Sequence, residues 1–76
     1  MKIRTEPDGF GFLRVKVEEK EKILEELKRR VPEALAEEVL TAWIDRLQGD
    51  ATVYQVELLE RFPEATKFLE SITVTE

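Results

Sequence analysis

Seventy-six residues make one domain with a thin core, burying only about 60% of the surface its unfolded chain exposes and leaving little room for a deep pocket. At 42% hydrophobic and 38% charged the chain is expected to fold and to be very soluble, and the absence of cysteine and histidine removes disulfides, the usual zinc ligands and the Ser-His and Cys-His catalytic pairs. The net charge of −5 divides unevenly, nine Lys and Arg against seven acids in residues 1–30 and three against ten in residues 31–76, so two electrostatically different surfaces are expected.

At the start, Met1-Lys2-Ile3-Arg4 lacks the apolar stretch of a signal peptide, and no apolar run reaches the roughly 18 residues of a membrane span, so a cytoplasmic, non-membrane protein is expected. Ile3 to Glu6, then Pro7-Asp8-Gly9, then Phe10 to Val17 reads as strand, tight turn, strand. Leu13, Val15 and Val17 alternate with Phe10, Phe12, Arg14 and Lys16, and Ile3 alternates with Lys2 and Arg4. A period of two places one set on a buried face and the other on a basic, aromatic face.

From Glu18 to Arg30 the apolar residues Ile23, Leu24 and Leu27 fall on one helical stripe, acids lead and bases close, and Glu18–Lys22, Glu25–Arg29 and Glu26–Arg30 stand four apart. Pro32 opens a second helix running to about Leu47, whose apolar residues from Leu35 to Leu47, Trp43 among them, cover half its circumference. Gly49 is placed to cap it, and Thr52 with Gln55 makes a capping-box spacing that starts a third helix through Tyr54 to Phe62. Pro63 opens a fourth helix carrying Ala65, Phe68, Leu69 and Ile72, after which Ser71 to Thr75 alternates polar and apolar in the pattern of a short third strand. Tyr54, Phe62, Phe68 and Trp43 each lie on or beside an apolar stripe and are expected in the core. The fold expected is a single α+β domain over 1–76: a β-hairpin over 1–17 on three to four short helices over 18–70, with residues 71–76 as a third strand or a tail.

The segment Pro7-Asp8-Gly9-Phe10-Gly11-Phe12-Leu13-Arg14 resembles the first hairpin of cold-shock and related OB-fold RNA-binding domains, including that of transcription termination factor Rho. The resemblance implies that Phe10 and Phe12 stack on bases while Arg14 and Lys16 hold the backbone. It covers residues 1–17 only; an OB-fold needs five strands, and Glu18 to Glu70 reads as helix. In the alternative reading Gly9 and Gly11 serve the turn, and Phe10 and Phe12 anchor the hairpin onto the helices.

A helix-turn-helix around Gln48 to Ala51 would offer Thr52, Tyr54 and Gln55 to a DNA groove, yet its second helix carries Glu57 and Glu60 against Arg61 alone, the wrong charge for phosphate. Carboxylate pairs such as Glu21 and Glu25, Glu33 and Glu37, or Glu57 and Glu60 fit a solvated helix face, with no EF-hand-like run and no phosphate-binding glycine motif. No catalytic, cofactor-binding or metal site is expected. By elimination the sequence points to a small non-enzymatic interaction protein, a regulator or inhibitor, whose partner is a protein met through the hairpin edge or through an acidic helical face of Glu37, Glu38, Asp45, Glu57 and Glu60. The alternative from another class is a single-stranded RNA or DNA binder using Lys2, Arg4, Phe10, Phe12, Arg14 and Lys16. An open strand edge also leaves a homodimer within reach.

Overall fold

The computed structural model describes residues 1–75; Glu76, the end of the expected tail, lies outside the described residues. The fold is α+β, a three-stranded sheet with four α-helices. Strands β1 (Lys2–Pro7) and β2 (Leu13–Glu18) pair antiparallel from Lys2↔Glu18 to Pro7↔Leu13, and β3 (Thr73–Thr75) pairs parallel to β1 from Ile3↔Thr73 to Thr5↔Thr75. The sheet order is β2-β1-β3: of the strand or tail expected over 71–76, a strand exists only over Thr73–Thr75, since Ser71 and Ile72 still belong to α4, and it makes β1 the centre. Between β2 and β3 the chain runs through α1 (Lys20–Lys28), a 3-10 turn (Glu33–Leu35), α2 (Ala36–Gln48), α3 (Val53–Arg61) and α4 (Pro63–Ile72).

The two-residue alternation decides which sheet face the helices cover. Ile3 and Thr5 are buried and Val15 and Val17 pack against the core, whereas Lys2, Arg14 and Lys16 are exposed. Helix α2 supplies Ala36, Val39, Leu40, Ala42 and Trp43 to that core and touches α1, α3, α4 and β2, which is why its apolar arc is so wide. Ile23 and Leu27 of α1, Leu58 and Leu59 of α3, and Ala65 and Leu69 of α4 complete the interior. Burial of each Leu or Ile stabilises the fold by about 1.5–3 kcal/mol.

Several local signals act as the sequence predicts. The Thr52 hydroxyl accepts from the Gln55 amide at 3.2 Å and the Gln55 side chain accepts from the Thr52 amide at 2.7 Å, a complete capping box. The amides of Gly49 and Asp50 donate to the carbonyls of Arg46 and Asp45, closing α2 with a Schellman turn, and Pro63 stands at the first position of α4.

The first two helices begin later than expected. Glu18 belongs to β2, since its pairing with Lys2 extends the ladder, and its carboxylate meets Arg4 at 3.2 Å instead of Lys22. Glu19 then reverses the chain in the left-handed region, φ 56° and ψ 46°, a conformation that costs a non-glycine residue roughly 1–2 kcal/mol. Its carboxylate lies 2.7 Å from the Met1 ammonium and 3.0 Å from Lys22 Nζ, and these two cations, the amino terminus foremost, hold its pKa down to about 2. Of the three expected helix pairs, Glu26–Arg30 forms at 3.2 Å, while Arg29 reaches Glu26 at 3.0 Å instead of Glu25. Pro32 precedes the 3-10 turn, and the α-helical stretch starts only at Ala36.

Trp43 is 7% exposed and Phe62 and Phe68 pack half-buried against the core. Arg30 lies over the Phe68 ring at 4.4 Å and covers its outer face. Tyr54 departs from expectation: it is 64% exposed on α3, which turns its buried stripe of Leu58 and Leu59 away from it.

Candidate functional site

The hairpin closes later than its sequence suggests. Asp8 N–H donates to the Phe12 carbonyl at 3.1 Å, so the loop proper is Gly9-Phe10-Gly11, and β2 starts at Leu13 instead of Phe10. The Asp8 side chain explains the difference, because its Oδ1 accepts from the Phe10 amide at 2.8 Å and from the Phe12 amide at 3.2 Å. One carboxylate oxygen thus takes the backbone donors that would otherwise extend the ladder or face water. Gly9 and Gly11 stand at φ 87° and 88°, the region that side chains other than glycine rarely enter, and together they let the chain bend twice within five residues.

This bend puts both aromatic rings outside. Phe10 is 85% exposed and Phe12 71%, so neither anchors the hairpin onto the helices, and neither sits on a strand at the two-residue pitch of a stacking platform. The glycines do serve the turn. Two exposed phenylalanines, one residue apart on a pinned loop, put apolar area at the hairpin tip.

Next to the loop lies the uncovered face of the sheet. It carries Lys2, Arg4 and Glu6 from β1 and Arg14, Lys16 and Glu18 from β2, interleaving both signs. Glu6 stands directly opposite Arg14 at 3.9 Å and Glu18 reaches diagonally to Arg4 at 3.2 Å. Among the described residues Lys2 and Lys16 make no ion pair. The six residues Lys2, Arg4, Phe10, Phe12, Arg14 and Lys16 are therefore brought to one hairpin, with the phenylalanines at its tip and the bases along its open face.

The five acidic candidates are more dispersed. Glu37 and Glu38 open α2 and line an open groove of about 510 Å³ between α2 and α3, together with Thr41, Tyr54, Gln55 and Leu58. Asp45 is half-buried and accepts a hydrogen bond from the Gln55 side-chain amide. Glu57 borders a smaller hollow of about 140 Å³ beside Tyr54 and Arg61, and Glu60 is exposed farther along α3. Of the residues a helix-turn-helix would offer to DNA, Thr52 and Gln55 are engaged in the cap of α3 and only Tyr54 is free to reach outward. Among the described residues no cluster of three or more acidic side chains has the spacing to hold a metal ion, and no helix is long and apolar enough to cross a membrane.

Two features escape the sequence. The Asp8 carboxylate bridge is legible only as an Asx-turn tendency of Asp before Gly, and the groove depends on how α2 and α3 pack, which no local pattern records. Compared with known proteins, the chain matches no family model, no curated protein and no solved structure.

Proposed function

We propose that this chain is a non-catalytic binding module that holds a protein partner with the tip of its hairpin, acting on that partner as a regulator or inhibitor. The observation that carries the reading is the exposure of Phe10 and Phe12 on a loop already ordered by Asp8 and two left-handed glycines. Burying each ring in a partner's pocket is worth about 1.5–3 kcal/mol of transfer free energy, and a loop that is ordered beforehand loses little entropy on docking. Phenylalanine is among the residues enriched at the cores of protein interfaces.

Single-stranded nucleic acid fits this surface less well. Base stacking asks for aromatic faces at strand pitch and phosphate asks for unopposed cations. Here the rings stand on the loop, and of the four bases Arg4 and Arg14 already face Glu18 and Glu6, which leaves Lys2 and Lys16 as the unopposed cations among the described residues.

The test is site-specific crosslinking. A benzoyl-phenylalanine at position 10, and for comparison one at the exposed Lys67 of α4, is photolysed in extract of the source cells. A discrete protein adduct at position 10 alone, lost when Phe12→Ser is added, is expected. A nuclease-sensitive adduct, with labelled single strands bound by the parent and not by Phe10→Ser/Phe12→Ser, would replace this reading with the nucleic-acid one. Adducts equal at positions 10 and 67 would refute both.

A further inference from the structure

We infer that the groove between α2 and α3 is a second docking surface, independent of the hairpin tip, and that its occupant is a basic segment of a partner protein presenting a Lys or Arg side chain. The groove's floor is Leu58, its wall is the exposed Tyr54 ring, and Glu37 and Glu38 stand at its rim. The groove is open to solvent along its length, so what it offers is a surface track and not an enclosed pocket.

Charge identifies the occupant. Residues 36–61 hold six acids, and their only bases are Arg46 and Arg61. The guanidinium groups of those two lie over the rings of Trp43 and Phe62, at 5.8 and 5.5 Å, and neither forms an ion pair with Glu37 or Glu38. No ion pair among the described residues neutralises either rim carboxylate. A long cationic side chain matches this arrangement: its methylene stem lies along Leu58 and the Tyr54 ring, and its head group meets the two carboxylates. Polyanions and acidic lipid surfaces are repelled by the same rim.

The experiment titrates isotope-labelled protein with a hexalysine peptide and with its fully Nζ-acetylated form, following backbone amide shifts. Hexalysine is expected to move amides of residues 37–41 and 52–58, while the acetylated peptide moves none. Glu37→Gln/Glu38→Gln should weaken binding about tenfold or more and Tyr54→Ala about threefold, in line with loss of two charge contacts and one cation–π contact. Thr41→Arg, which fills the groove from an exposed position, should abolish it. Glu25→Gln/Glu70→Gln removes the same charge from exposed sites on α1 and α4 and should leave the affinity within about twofold. Shifts scattered over all acidic helices, an equal loss in the Glu25/Glu70 variant, or concentration-dependent self-association through the groove in place of peptide binding would each overturn the assignment. Because the hairpin is untouched throughout, failure here leaves the crosslinking test of Phe10 standing.

Discussion

A part-buried relay of two hydrogen bonds ties the helical layer to the sheet, and breaking it should be costly. The Trp43 indole N–H donates to the Thr73 hydroxyl at 3.0 Å, and that hydroxyl donates to the Leu69 carbonyl at 2.6 Å. Thr73 is also the first residue of β3 and pairs with Ile3. Replacing it by valine keeps the shape and the strand preference but removes both hydrogen bonds. An orphaned indole N–H in a nearly buried ring costs about 1–3 kcal/mol and the lost bond to Leu69 about 1 kcal/mol, partly offset by the added methyl, for a net loss of about 2 kcal/mol. Total stability for this length is roughly 4–11 kcal/mol, so the variant should melt about 8–16 °C lower. Urea unfolding followed by circular dichroism and by the fluorescence of the single tryptophan gives the free energy directly. Thr73→Ser, which keeps the hydroxyl, should lose less than half as much. A double-mutant cycle with Trp43→Phe should show a coupling of about 1 kcal/mol. A Thr73→Val loss below about 0.5 kcal/mol, or strict additivity in the cycle, would show that the relay contributes nothing.

Three further outcomes are expected. The Glu19 carboxyl is held at about 2 by the Met1 ammonium and Lys22, below its ordinary 4.5, so its contribution is complete above pH 4.5 and fades as pH falls toward 2; melting curves over that range should fall less steeply for Glu19→Gln or after acetylation of the Met1 amine. Gly11→Ala should cost about 1–2 kcal/mol in urea unfolding although no atom lies within 4 Å of the added Cβ, because φ 88° alone strains an L side chain. Phe10→Ser/Phe12→Ser should leave stability within about 0.5 kcal/mol, and a larger loss would mean that the rings pack against the domain.

Legibility followed the range of the interactions. Thr52 with Gln55, Gly49 and Pro63 each act on backbone groups within a few residues, and each marks its helix end in sequence and structure alike. The strand alternation from Leu13 to Val17 is equally local and its buried face was legible, whereas the parallel pairing Ile3↔Thr73 joins residues at opposite ends of the chain and was visible only as a pattern awaiting a partner. Glu18 illustrates a tie broken at long range: its charge suits a helix start, and the pairing with Lys2 keeps it in the strand. Arg29 shows a different ambiguity, since a helix brings Glu25 and Glu26 equally within reach and the sequence does not choose. Tyr54 reads as core because an amphipathic ring lies beside an apolar stripe, while the stripe that α3 buries runs through Leu58 and Leu59. For the site, the residues of the hairpin were legible and their presentation was not, because one Asp8 oxygen decides where the strand begins.

The form of the hairpin loop itself bears on why its rings are exposed. A connector between two strands needs only a two-residue polar turn, which hides no apolar area and leaves none outside. This loop instead places two glycines in the left-handed region and commits a carboxylate to two amides, and the residues these devices position are Phe10 and Phe12. Water disfavours both rings, and the domain beneath offers them no pocket, so nothing in the isolated chain is gained by their presence. The contact proposed for the hairpin tip supplies that gain. The acidic groove lies on other elements, α2 and α3, and carries the opposite charge from the bases beside the loop, so a segment that suits one surface is repelled by the other. As proposed, the apolar tip and the acidic groove are separate surfaces that take two chemically different segments, of one partner or of two.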